Sequence, residues 1–259
     1  MTAKIVNDKI IMENERDICM KKCFAFSLPE VLIALVVIGV VVSMTIMVLI
    51  PDTKNKEKIV KIKKSYSILA NAYENTATKY GPIIDWDSRT SESVANTMAD
   101  AMRVAKNCGT ATNLTNENEC MPGCPKIYTT TKTLLDVCTS GNVAKLMTQD
   151  GYSYAFQIEN SNCDLNITDN SESANPAFKQ VCGTAMTDIY SSKRGRDKNL
   201  YGVDLFLFYI TRDGIYPVGI ESDTKFGNYD SAKCKKIISE NIPGCTATFL
   251  YFSNNKIEE

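Results

Sequence analysis

Two groups of residues in this 259-residue chain have types and spacings that could do chemistry: ten cysteines, and one glutamate, Glu30, at the mouth of a long apolar run. Histidine is absent, which removes Ser-His-Asp catalysis, histidine-bound metals and imidazole proton shuttles. No Gly-rich phosphate loop occurs. The carboxylates of the rest of the chain are scattered, so no catalytic residue and no cofactor are assigned, and enzymatic activity is not expected.

Cys19 and Cys23 precede the apolar run. Cys108, Cys120, Cys124, Cys138, Cys163, Cys182, Cys234 and Cys245 follow it. An even number of cysteines beyond a membrane anchor points to disulfides in an oxidising compartment. The rival chemistry is zinc, for which Cys120-x-x-x-Cys124 has a tolerable spacing, but a four-cysteine site needs a second tight pair and none exists. No metal is therefore assigned, and the pairing of the eight is left open, since about 105 connectivities are available. A calcium site in the polar stretch Asn160–Pro176 fails similarly. Asp164, Asn166 and Asp169 lack the turn glycine and closing glutamate of an EF-hand loop, and a solvated loop is expected.

The element that must position Glu30 is the segment Lys21–Pro51. Val31 to Ile50 carries no charge over twenty residues, enough helix to cross a hydrocarbon core about 30 Å thick. A cleaved secretory signal would be shorter and end in a small-x-small site; this run exits through Ile50-Pro51-Asp52-Thr53 and reads as an uncleaved anchor. An acid beside such a run costs about 2–3 kcal/mol if it enters the bilayer, so Glu30 needs a partner.

The residues around it supply one. Ala25-Phe26-Ser27-Leu28-Pro29-Glu30-Val31-Leu32 resembles the processing site of type IV prepilins and type II secretion pseudopilins: a small residue, Phe, three residues, Glu and a hydrophobic helix. The resemblance implies cleavage by a prepilin peptidase between Ala25 and Phe26, methylation of the new Phe26 amine, and Glu30 as the fifth mature residue. It further implies that Glu30 meets the amine of a neighbouring subunit, so that a costly carboxylate sets the register of assembly. The family usually has Gly before the cut. Ala25 is also small, and processing is expected to survive. A start at Met20 would give the short leader Met-Lys-Lys-Cys-Phe-Ala, with residues 1–19 an upstream extension.

The resemblance carries a pilin-like α+β fold: a long N-terminal helix, transmembrane then amphipathic, packed on an antiparallel sheet. Residues 1–25 are the leader, 26–51 the transmembrane and assembly segment, 52–80 an amphipathic helix, 81–253 a disulfide-stapled head and 254–259 a tail. The implied partners are other pilin-like subunits, the prepilin peptidase, an inner-membrane assembly platform driven by a cytoplasmic ATPase, and the membrane. The implied location is a single pass of the bacterial inner membrane, with the head in the periplasm or on the cell surface. Whether the filament is a secretion pseudopilus, a surface pilus or a DNA-uptake device stays open. The alternative is a membrane-tethered binding module that never polymerises. A net charge of −1 offers no basic field for nucleic acid. One conflict stands: Lys54, Lys56, Lys58, Lys61, Lys63 and Lys64 after the run outnumber Arg16, Lys21 and Lys22 before it, which by itself would place the head in the cytoplasm. The cysteines and the processing site argue against that.

After the apolar run, Ile59, Ile62, Tyr66, Leu69, Tyr73, Ala77 and Tyr80 recur at helical spacing. Gly81-Pro82 stops the helix, and Pro51 is expected to kink or break it. That stripe suits either a coiled-coil partner or, as the resemblance implies, the head's own sheet. Residues 83–90, around Trp86, read as a loop. Ser91 is expected to cap a helix through Val94, Met98 and Met102 to about Lys106, and Cys108 to Cys138 to form an irregular region. Two Asp-Gly hairpins follow, Val143–Thr148 with Tyr152–Ile158 and Val203–Ile210 with Ile215–Ile220. Thr246–Ser253 is expected to add a last strand. Asp204–Gly219 and Gly244-Cys245-Thr246-Ala247 loosely resemble the C-terminal parts of pilin-like proteins.

Overall fold

The computed structural model describes residues 27–110, 120, 127–128, 134–135, 143–169, 174–190, 201–202, 204–220, 222–227, 234 and 243–251, with backbone alone at 45–55, 127–128, 134–135 and 243. Helix α1 is Leu28–Tyr80, 53 residues. The Ser27 carbonyl accepts from the N–H groups of Glu30 at 3.0 Å and Val31 at 3.2 Å, closing the first turn. Of the expected kink or break at Pro51, the break does not occur: the helix runs through Pro51. It stops at Gly81, whose φ of +84° reverses the chain while its N–H bonds the Ala77 carbonyl at 2.9 Å.

The chain divides into two compact units, Met1–Asp52 and Thr53–Glu259. In the first, the described side chains of α1 are all exposed. In the second, an antiparallel sheet takes the order β1-β4-β5-β6-β7-β8. Its strands are β1 Val104–Thr110, β4 Val143–Thr148, β5 Ser153–Ile158, β6 Val181–Asp188, β7 Leu205–Thr211 and β8 Ile215–Pro217. β2, Ile127–Tyr128, pairs separately with β3, Leu134–Leu135. The expected hairpins are β4–β5 and β7–β8, with Gly151 at φ +83° in the first turn. β1 pairs with β4 through two register shifts, and β8 forms the far edge with three residues ending at Pro217.

One face of the sheet lies against α1. Ile62, Leu69, Ala72 and Tyr73 are buried with Leu146, Tyr154, Phe156, Phe208 and Ile210. The face reaches these neighbours because small residues, Ser65, Ala72 and Thr76, lie between the large ones; Ser65 and Thr76 satisfy their hydroxyls on helix carbonyls at 3.0 and 2.7 Å. Tyrosines then pin helix to strands. The Tyr154 hydroxyl donates to the Ser65 carbonyl at 3.0 Å, Tyr66 donates to Ile215, and Tyr73 reaches the carbonyls of Thr211 and Arg212. Tyr66 also stacks on Phe208 with ring centroids 5.5 Å apart. Tyr80, at the end of the apolar series, is exposed.

The opposite face is buried as well, by Ile167, Phe178, Val218 and Phe226 over Val143, Ala155, Val181, Met186, Leu207 and Tyr209. These cover residues come from segments outside the strands, Phe178 from a 3-10 turn at Pro176–Lys179, and Asn160–Pro176 is not the purely solvated loop expected. Ile167 and Thr168 are buried, and Leu165 bridges to Val181. The buried Asp223 carboxylate organises the segment after β8, accepting from the Tyr209 hydroxyl and from the N–H groups of Gly219, Lys225 and Phe226 at 2.9–3.0 Å.

Three expectations are corrected. The second helix, α2, is Ser91–Ala99; Thr90 is its cap, accepting from the Ser93 N–H, and the Ser91 hydroxyl instead accepts from the Ile158 N–H. It ends before Lys106 because Arg103, at φ +50°, turns the chain into β1. Cys108 therefore lies on a strand. The C-terminal stretch is a short helix, α3, Thr246–Tyr251, because its inward groups face β7 and β8 rather than a free sheet edge. The Thr246 hydroxyl accepts from the Leu207 N–H, and the Ala247 N–H donates to Val218.

Two outcomes follow. A Cβ at Gly183 would lie 2.0 Å from the Gln157 carbonyl oxygen, so Gly183→Ala should lower denaturant stability by about 3 kcal/mol, a value typical of backbone-forced strain at a buried strand; an unchanged urea midpoint would refute the close approach. Burial pushes the Tyr66 phenol from 10.0 to about 12, and Tyr73 and Tyr154 higher still. The folded head thus holds these protons longer than the unfolded chain, and the stability they contribute is complete below pH 10 and lost as pH rises through about 12. Denaturant midpoints measured across that window, with phenolate absorbance, should fall together with the appearance of ionised tyrosine.

Candidate functional site

The residues assigned to chemistry fall into two places. Ala25 and Phe26 lie outside the described residues. Glu30 is in the first turn of α1 and exposed. An acidic side chain suits the first turn of a helix. Around it the helix offers Leu28, Val31, Leu32, Ile33, Leu35 and Val36 to the outside, each between 44% and 78% exposed. Exposure on every side distinguishes this segment from residues 56–80 of α1, where one face is buried. No helix among the described residues is long and apolar enough to cross a membrane; the described side chains of the apolar run end at Met44.

Of the eight cysteines after the run, six form three bridges: Cys108–Cys120, Cys163–Cys182 and Cys234–Cys245. Cys124 and Cys138 lie outside the described residues. The bridge from Cys120 to Cys108 removes the thiolate that a Cys120-x-x-x-Cys124 zinc site would need. Each bridge closes a short loop, 11 to 19 residues apart in sequence. Cys163 holds the segment before Ile167 onto β6, and Cys245 holds the start of α3. Among the described residues, no three acidic or cysteine side chains gather as a metal site.

The lysines that raised the topology conflict have work inside the head. The Lys58 ammonium donates to the Gly202 carbonyl at 3.1 Å and lies 4.6 Å from the centre of the Phe249 ring. Lys61 pairs with Glu57 at 2.7 Å and covers the Tyr190 ring at 4.2 Å. Lys64 pairs with Asp150 at 3.1 Å and approaches the Tyr152 ring. At intervals of three residues these side chains run along one side of α1, and a count of flanking charges cannot see that use. Burial lowers the Lys58 pKa, with Asp204 opposing the shift.

A polar cavity of about 500 Å³ lies where Ser88, Arg89 and Thr90 meet Thr110, Ile158, Glu159 and Ser161. Sequence reading assigned nothing there. Ser88 and Arg89, at φ +59° and +38°, hold consecutive left-handed conformations that L-residues rarely adopt. The Arg89 guanidinium donates to the Ile84 carbonyl, and Glu159 pairs with Lys225.

No curated protein and no solved structure gives a significant match to the chain. A family model does: that of the prokaryotic N-terminal methylation motif, over residues 20–46. The match begins at Met20, spans the Ala25-Phe26 junction and Glu30, and covers the exposed apolar part of α1. The chain thus carries a prokaryotic N-terminal methylation motif, and the motif followed by a head of helix on antiparallel sheet is consistent with a type IV pilin-like protein.

Proposed function

We propose that the chain is a structural subunit of a type IV pilus-like or type II secretion pseudopilus filament, inserted in the inner membrane, cut before Phe26, methylated there and assembled through the apolar part of α1. The observation that carries this reading is the methylation motif with a single carboxylate, Glu30, in the first turn of a helix whose described side chains are all exposed as far as Met44. A segment of that character is costly to leave in water and suits lipid first and neighbouring copies afterwards. Glu30 then pairs with the Phe26 amine of an adjacent subunit. The stapled head stands on the periplasmic or outer side, where the disulfides form. The partners are other pilin-like subunits, the prepilin peptidase and the inner-membrane assembly platform. The role is structural rather than enzymatic.

A tethered binding module is the second reading, favoured by the polar cavity beside Arg89. It requires an unprocessed anchor and no helix-to-helix contact between copies.

Intact-mass measurement on protein from its host should give a chain that begins at N-methylated Phe26; an uncut chain would defeat the reading. Glu30→Ala should leave that mass change in place and abolish filaments, because removing one partner of a buried charge pair costs about 3 kcal/mol or more per contact. Helix-to-helix crosslinks between copies should vanish in the same variant. Wild-type filament yield from Glu30→Ala would overturn the pairing.

A further inference from the structure

The C-terminal helix has two points of attachment of different kind. Its root is fixed by covalent and backbone bonds: Cys245 to Cys234, the Ala247 N–H to Val218, and an approach so tight that a Cβ on Gly219 would meet the Gly244 carbonyl oxygen at 1.6 Å. Its tip carries Phe249, Leu250 and Tyr251 and has side-chain contacts instead. Tyr251 is 55% exposed. Phe249 sets its edge against Phe206 of β7, with ring centroids 5.8 Å apart and planes at 88°. Its face lies under the Lys58 ammonium. The same ammonium donates to Gly202, in the turn that leads into β7.

We propose that Lys58 is the latch of a C-terminal strap: one ammonium ties the tip of α3 and the turn before β7 to α1, so that the strap closes only when α1 is docked. Three parts of the chain distant in sequence, residues 58, 202 and 249, meet at this one charge. A half-buried ammonium over a ring face is attracted by the ring quadrupole, more strongly as water is excluded. The burial that lowers the Lys58 pKa is the sign of that exclusion. Asp204, buried two residues after Gly202, steadies the charge from the β7 side, and Lys61 and Glu57 lie on the neighbouring turn of α1. The geometry assigns Lys58 a conformational role in the head that does not depend on how, or whether, copies assemble.

Hydrogen exchange on the full chain in detergent micelles tests this. Lys58→Met keeps the apolar stem and removes the charge; amides of 248–251 should then exchange about five- to thirtyfold faster, the range set by a partly desolvated cation over a ring. β6 and β7 should stay protected. Lys58→Arg, which can donate to the carbonyl and cover the ring, should restore the slow exchange, and Phe249→Leu should reproduce the loss with Lys58 intact. Unchanged exchange at the tip in Lys58→Met would overturn the latch. So would faster exchange spread evenly over the sheet, or an Arg variant as fast as Met.

Discussion

The head depends on a helix lying close enough to a sheet for tyrosines of one to reach carbonyls of the other. Tyr154 is the clearest case. Its ring is wholly buried at the centre of the sheet, and its hydroxyl donates to the carbonyl of Ser65 on α1. An unsatisfied hydroxyl in that position would cost about 1–3 kcal/mol, so the helix can neither slide along the sheet nor rotate on it. Tyr66 and Tyr73 repeat the constraint toward β8 and the β7–β8 turn from the other partner, hydroxyls on the helix meeting carbonyls on the strands. With α1 set in this way, the lysines at 58, 61 and 64 meet their rings and Trp86 packs beside Tyr73.

Much of this was legible in the chain, for identifiable reasons. Asp-Gly between strand-like runs gives two hairpins because left-handed backbone at Gly151 admits few other residues. Gly81-Pro82 ends α1 by the same logic. β6 was not legible. VCGTAMTD lacks alternation because both of its faces are covered, and its glycine reads as a breaker when it is in fact the place where β5 comes too close for a side chain. The last stretch, TATFLYFS, misled for the opposite reason. Its β-forming residues suit a strand, and what makes Thr246–Tyr251 a helix is the disulfide at Cys245 together with a donor on Leu207 and an acceptor on Val218 that lie far away in sequence.

The candidate site was legible in proportion to how local it is. The motif around Glu30 is a contiguous string, and a contiguous string survives without a structure. The bridges follow from contacts across the fold, so counting cysteines gave their number and not their partners. The cavity beside Arg89 joins a turn, a strand end and a loop, and no spacing rule connects them. The lysines are the instructive case. Read as a run, they describe charge near a membrane; read on a helix, three of them become contacts of the head.

The two edges of the sheet have a bearing on how copies of this molecule can meet. β1 is broken by two register shifts within seven residues, and β8 offers three residues that end in a proline with no N–H to donate. Neither presents a straight row of free donors and acceptors, which is what one sheet needs to extend into another. Among the described residues, the six-stranded sheet is poorly suited at both edges to growth by strand addition, the route that turns many exposed sheets into fibres. An orderly array of these molecules is then better held by side-chain surfaces than by the edges of this sheet, and its geometry can follow those side chains.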